Sequence, residues 1–231
     1  MKTIGILGGM SWESSVHYYQ IINEGVKKRL GGTHSAKILL NSVDFYYIDV
    51  LQKQGDWDTL NRMMVEESKK LEDAGADCLV IATNTMHKSV PEIEKVISIP
   101  IIHIADATAK SIKEQGIQQI GLLGTRYTME QDFYKGRLVN HFGLSVDIPD
   151  EAGIQVVHDI IYDELVLGEV NDASRTKYMS IIKHMEEQGC EGVILGCTEI
   201  GMLIKSKDTD IPIFDTTEIH ALAAVDFALS D

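Results

Sequence analysis

Short β-branched apolar runs alternate along the chain with longer stretches in which apolar residues recur every three or four positions. Ile4–Leu7, Lys37–Asn41, Cys78–Ala82, Ile101–Ile104, Ile120–Leu123, Val193–Leu195 and Pro212–Phe214 read as strands. Most are near-continuous apolar runs, the pattern of parallel strands buried on both faces. Val16, Tyr19, Ile22, Val26 and Leu30 repeat at helical spacing until Gly31-Gly32 stops the helix. A second helix is predicted from about Trp57 to Asp73, with Leu60, Met63, Met64 and Leu71 on its apolar face. Thr128-Met-Glu-Gln131 has the form of a capping box and predicts a helix through about His141. Ile154–Leu167, Ala173–Gln188 and about Thr217–Leu229 complete the set. Strand–helix alternation of this kind implies right-handed βαβ units and an α/β fold with parallel sheets flanked by helices.

The pattern occurs twice. Gly75-Ala-Asp-Cys-Leu-Val-Ile-Ala-Thr83-Asn-Thr-Met-His87 is answered by Gly189-Cys-Glu-Gly-Val-Ile-Leu-Gly-Cys197-Thr-Glu-Ile-Gly201. Ile4-Gly-Ile-Leu-Gly-Gly-Met10 matches Ile120-Gly-Leu-Leu-Gly-Thr-Arg126, and Ile99-Pro-Ile-Ile-His103 matches Ile211-Pro-Ile-Phe-Asp215. Three landmarks in one order predict two similar, pseudo-symmetric α/β domains with an active site in the cleft between them. The first is expected over residues 1–98 plus about 212–231, with the C-terminal helix packing back on it. The second is expected over about 99–211. Thr83 and Cys197 then fall at equivalent strand ends. A cleft with a hydroxyl on one wall and a thiol on the other suits proton transfer at opposite faces of one small molecule.

Bulk properties narrow the function. The chain has 231 residues and a net charge of −14, which argues against nucleic acid, since that requires a positive footprint. No apolar run approaches the roughly 20 residues of a membrane-spanning helix. Cys78, Cys190 and Cys197 form no CxxC and have no histidine at zinc spacing, so no metal is expected and a reducing cytoplasm fits.

In open parallel sheets, ligands bind at the carboxyl ends of strands. Asn84 and Thr85 follow Thr83 there, and Thr198 and Glu199 follow Cys197. Such turns can offer backbone N–H groups to a carboxylate. Cys78 and Cys190 read as buried small hydrophobes. For Cys197, a helix N-terminus or a nearby cation could lower the thiol pKa enough for general-base work. Thr83 is a poor base unless activated. Gly8-Gly9-Met10-Ser11 and Gly124-Thr125-Arg126-Tyr127 are turns after the first strand of each copy, and neither is a nucleotide-binding loop. His87 lies one helical turn past Thr83, and either orients the site or sits on a helix surface. Glu199 orients a ligand amino group or neighbouring backbone, or caps a helix. Arg126 either binds a carboxylate or makes a salt bridge.

Over essentially its whole length the chain resembles the aspartate/glutamate racemase family, the cofactor-independent amino-acid racemases. The hallmarks are Gly8-Gly-Met-Ser-Trp-Glu-Ser14, Asn84-Thr-Met-His87, Leu123-Gly-Thr125 with Thr128-Met129, and Gly196-Cys-Thr-Glu199. The resemblance implies a small-molecule amino-acid substrate, no pyridoxal phosphate or metal, and a homodimer. Carried over by position, it makes Thr83 and Cys197 the acid/base pair. It places Asn84, Thr85 and Thr198 on the α-carboxylate and Met10 beside them.

Three departures matter. Most members have Cys in place of Thr83, so Cys197 is expected to abstract a proton from one enantiomer, the L form, far better than Thr83 does from the other. Several aspartate racemases carry Arg where this chain has Leu51, Gln52 and Lys53, which makes Gln52 the residue expected to face the substrate. A lysine often precedes the glycine of a Glu-Leu-x-Lys-Gly turn, where Glu164-Leu165-Val166-Leu167-Gly168 has Leu167. Loss of two cations opens the side-chain preference to neutral or longer groups. Two other readings stay open: a Cys-dependent isomerase or decarboxylase of a small dicarboxylate or hydantoin, and a degenerate amino-acid-binding module.

Overall fold

β1 (Thr3–Gly8) is the central strand of the first sheet in the computed structural model, which describes residues 1–230. The chain continues through α1 (Trp12–Leu30), β2 (Lys37–Ser42), α2 (Phe45–Gln54), α3 (Trp57–Asp73) and β3 (Cys78–Ile81). A 3-10 turn over Thr85–Ser89 leads into α4 (Val90–Ile93). The strands are parallel in the order β2-β1-β3. Ser11 caps α1 by accepting a hydrogen bond from the Ser14 N–H, and Gly31, at φ 73°, ends it.

The second sheet follows α5 (Ile104–Glu114). It is built from β4 (Gln119–Gly124), α6 (Arg126–Glu130), α7 (Lys135–Phe142) and β5 (Ser145–Asp147), then α8 (Glu151–Asp163) and α9 (Asp172–Glu187). β6 (Val193–Gly196), α10 (Ile200–Leu203) and β7 (Ile213–Asp215) complete it, and α11 (Thr216–Leu229) ends the described chain. Its order is β5-β4-β6-β7, again all parallel.

The two sheets have one topology. β2, β1 and β3 correspond to β5, β4 and β6, and β7 has its counterpart in a single parallel bridge between Leu79 and Ile101. The run Ile101–Ile104 therefore supplies a bridge where a strand was expected. Leu79 donates to the Pro100 carbonyl and Ile102 donates to the Leu79 carbonyl. Pro100 has no N–H with which to extend the ladder backwards, and α5 takes over at Ile104.

Two helix predictions also change. Thr125, not Thr128, caps the helix after β4, its side chain accepting from the Thr128 N–H. That helix stops where Gln131 turns extended, and α7 restarts at Lys135, so no single helix runs to His141. The stretch Ile154–Leu167 is α8, capped by Asp150, followed by a separate 3-10 turn over Leu165–Leu167. The apolar pattern predicts no element at the short β5 or at the helices α2, α4, α5 and α10.

The chain forms two compact units: Met1–His103 together with the chain from His220 onward, and Ile104–Ile219. In the first, the period-2 alternation of buried strands makes two cores. Leu7, Leu79 and Ile81 point to one face and pack with Met10, Ile48, Leu60, Met64 and Met86. Ile4, Ile6, Cys78 and Val80 point to the other, where Tyr18 and Ile22 of α1 meet Ala221, Ala224, Val225 and Ala228 of α11. The second unit has one contiguous core that includes Ile120, Leu122, Leu123, Tyr178, Val193 and Phe214. Among the described residues, no helix is long and apolar enough to cross a membrane.

Candidate active site

In the first unit the candidate residues gather beyond the carboxyl ends of β1 and β3. Gly9 (φ 89°) turns the chain there; its N–H donates to the Ser15 hydroxyl at 2.7 Å, and a Cβ on it would collide with the Val43 backbone. This turn delivers Met10 into the core, where it is buried with Leu7, Ile48 and Met86. The Ser14 hydroxyl donates to the Ala82 carbonyl at 3.1 Å, tying α1 to the residue before Thr83.

Thr83 is half-buried and opens the loop after β3. Asn84 and Thr85 follow it, both buried, at the start of the 3-10 turn. His87 is buried too, and its Nδ1 lies 2.8 Å from the Thr83 carbonyl oxygen. It is thus a packed residue beneath the Thr83 turn, not a surface histidine. Gln52, in α2, is buried and donates from its side-chain amide to the Met86 sulfur at 3.2 Å.

In the second unit Cys197, Thr198 and Glu199 stand immediately past β6. A Cβ on Gly124 would lie 2.8 Å from the Gly196 carbonyl oxygen, and one on Gly196 would lie 2.8 Å from the Leu123 carbonyl oxygen. Only a pair of glycines lets β4 and β6 close so tightly at the residue before Cys197. The loop is secured by Thr216, whose hydroxyl donates to the Leu195 carbonyl at 2.7 Å, and by Thr217, whose hydroxyl donates to the Thr198 carbonyl at 3.4 Å.

The chemistry converges on one carboxylate oxygen. Glu199 Oε2 accepts from the Cys197 thiol at 2.9 Å and from the Thr198 hydroxyl at 2.8 Å. All three side chains are buried. Burial and the Glu199 carboxylate push the Cys197 thiol well above its ordinary pKa. This reverses the expectation of a lowered pKa: the nearest charge is an anion, and the neighbouring N–H groups of Thr198 and Glu199 oppose it only in part. Cys197 rests as a thiol. The buried Cys78 thiol is also raised, to about 12, chiefly by desolvation.

Arg126 binds carboxylates of its own unit. Its guanidinium pairs with Glu130 at 2.7 Å and Glu151 at 2.9 Å and donates to Gln155 at 2.9 Å, tying α6 to α8. Two residues beside the site had no assigned role in the sequence reading, His103 and His220. The His103 ring centroid lies 4.6 Å from that of His87, and the His220 centroid 5.6 Å. The only available signal was the repeat, which pairs His103 with Asp215; nothing local marks His220.

Comparison with known proteins places these loops in a family. The Asp/Glu/hydantoin racemase model matches residues 7–224. A broad specificity amino-acid racemase of Bacillus subtilis is 24% identical over 227 residues, 96% of each chain. The crystal structure of a candidate Asp/Glu racemase from Yersinia pestis superposes with a TM-score of 0.93 at 53% identity, covering 100% of both chains. That of an aspartate racemase homologue from Pyrococcus horikoshii gives 0.86 at 32% identity, also over 100% of both.

Proposed function

This chain belongs to the Asp/Glu/hydantoin racemase family, and on that footing we propose that it is a cofactor-independent racemase of aspartate, glutamate or a broader set of amino acids. Cys197 works at one face of the substrate Cα and Thr83 at the other, each supplied by one copy of the repeat. The observation that carries the reading is the buried thiol–carboxylate contact of Cys197 and Glu199, set at the strand end that matches Thr83.

The resting thiol must lose its proton before it can act as a base. Glu199 Oε2, 2.9 Å away, receives it, leaving a thiolate and a neutral carboxylic acid. Binding of the substrate α-ammonium beside this site favours the thiolate, because it offsets the negative charge that held the thiol protonated. The thiolate then removes the α-proton of the L-amino acid. Return of that proton, or of one exchanged with solvent, to the same face regenerates the L form. Donation of the Thr83 hydroxyl proton to the opposite face gives the D form, and solvent reprotonates Thr83. Glu199 then releases to solvent the proton it took from Cys197, which returns every group to its starting state and balances the protons over the cycle. Asn84, Thr85 and Thr198 hold the α-carboxylate, with Met10 and Gln52 beside them.

The two walls are unequal, so abstraction from L exceeds abstraction from D. Positioned acid–base groups contribute about 10²–10⁴ in rate. α-Proton exchange in deuterated buffer with both enantiomers of aspartate, glutamate and neutral amino acids tests the reading. Exchange from L, lost in Cys197→Ser, is the expected result; no exchange from any of them would refute it.

Three buried, unpaired thiols suit a cytoplasmic protein. We place a second copy of the chain over Trp12, Val16 and Tyr19, which form an exposed apolar stripe on α1. Sedimentation equilibrium decides between this homodimer and a monomer.

A further inference from the structure

His87 and His103 occupy positions that the internal repeat fills differently in its second copy. His87 corresponds to Gly201 and His103 to Asp215. In the second unit these positions touch: a Cβ on Gly201 would collide with the Asp215 carboxylate. In the first they also touch, but as two imidazoles 4.6 Å apart. The repeat keeps the contact and changes its chemistry on the Thr83 side alone.

The hydrogen bonds fix the state of these rings. A carbonyl oxygen only accepts, so His87 Nδ1 carries the hydrogen and donates to the Thr83 carbonyl at 2.8 Å. His220 Nε2 donates to the Ile102 carbonyl at 2.5 Å, so its Nδ1 accepts from the Tyr18 hydroxyl at 2.8 Å. With both nitrogens engaged, His220 is a wall and cannot serve as a metal ligand. His87 is therefore a buried ring, flanked by His103 and His220, whose N–H closes the turn that starts at Thr83.

We propose that His87 is a positioning residue for Thr83: its Nδ1–H bond to the Thr83 carbonyl fixes the backbone that aims the hydroxyl, while His103 and His220 hold the ring. This rests on the racemase reading. It explains why the stacked imidazoles stand on the Thr83 side only. A thiol tolerates imperfect aim, whereas a hydroxyl must be placed accurately to donate a proton at a useful rate.

The test separates the two faces. In deuterated buffer, loss of the α-proton signal of an L-amino acid measures all abstraction, and chiral analysis of the same sample measures inversion. His87→Phe keeps a ring and loses the N–H; His87→Asn restores an N–H. The expected result is an inversion-to-exchange ratio that falls about tenfold or more in His87→Phe, returns towards wild type in His87→Asn, and leaves total exchange from the L form within about threefold. An unchanged ratio in His87→Phe, or equal loss of both readouts, would overturn the assignment. Nitrogen-15 NMR of the wild type gives a check that survives misfolding of either variant: Nδ1 must carry the hydrogen, and an Nε2–H tautomer also overturns it. Absence of any exchange in the wild type would instead bring down the racemase reading, and this inference with it; loss confined to the ratio would not touch that reading.

Discussion

The Cys197 thiol and the Glu199 carboxylate share a hydrogen bond of 2.9 Å inside a buried loop. Burial first, and the charge of the accepting carboxylate second, keep the proton on sulfur. Glu199→Gln removes that charge and the acceptor together. The titration of Cys197, followed by mass spectrometry of alkylated peptides across pH, should move to lower pH. Exchange from L-amino acids should nevertheless fall, by about 10²-fold if the carboxylate carries the proton. A variant whose thiol titrates lower and whose exchange also rises would leave Glu199 as a purely electrostatic brake.

Thr83→Cys supplies the second thiol. Exchange from D-amino acids should rise by at least about tenfold, while exchange from L-amino acids changes little. Thr83→Ala should abolish inversion and retain L exchange. Equal effects on both enantiomers would mean that Thr83 does not face Cα from the side opposite Cys197.

Gly9 stands at φ 89° with the Val43 backbone against it. Gly9→Ala should lower stability by about 1–3 kcal/mol, read as a reduced urea midpoint. The exposed Gly143, also at positive φ but with open space around it, should lose only the left-handed backbone cost on substitution by alanine, about 1–2 kcal/mol.

His220 is fully buried and its pKa is lowered from 6.5 to about 4, mainly by desolvation. The folded state therefore binds this proton less readily than the unfolded chain. Its contribution to stability is complete above pH 6.5 and is lost as pH falls towards 4, about 3 kcal/mol in all. Urea midpoints measured from pH 7 to pH 4 should fall, and His220→Gln should flatten that slope. A slope identical in the two proteins would show that other groups set the acid limit.

The repeat was legible because both copies keep the Gly-then-apolar-run signature at Gly75 and Gly189 and a polar residue at each strand end. The strands β1, β3, β4 and β6 followed from apolar runs that need no pairing information. β5 is only Ser145–Asp147, too short and too polar to show a period. Thr125 and Thr128 both suit a cap, and only the extended backbone at Thr125, whose side chain accepts from the Thr128 N–H, decides between them. The polarity of the Cys197 shift was illegible for a similar reason. Whether Glu199 turns towards the thiol depends on a rotamer, not on spacing. His220 lies far along the chain from His87, and only the return of α11 brings them together.

That return sets an order of assembly. Residues 104–219 form a continuous stretch and can complete their core as soon as they leave the ribosome. The first unit begins earlier and finishes last, since Ile4, Ile6 and Tyr18 wait for Ala221, Ala224, Val225 and Ala228. A nascent chain therefore holds the unit that carries Thr83 unfinished until residues 221–228 have been made, and loss of α11 would strike the half encoded first.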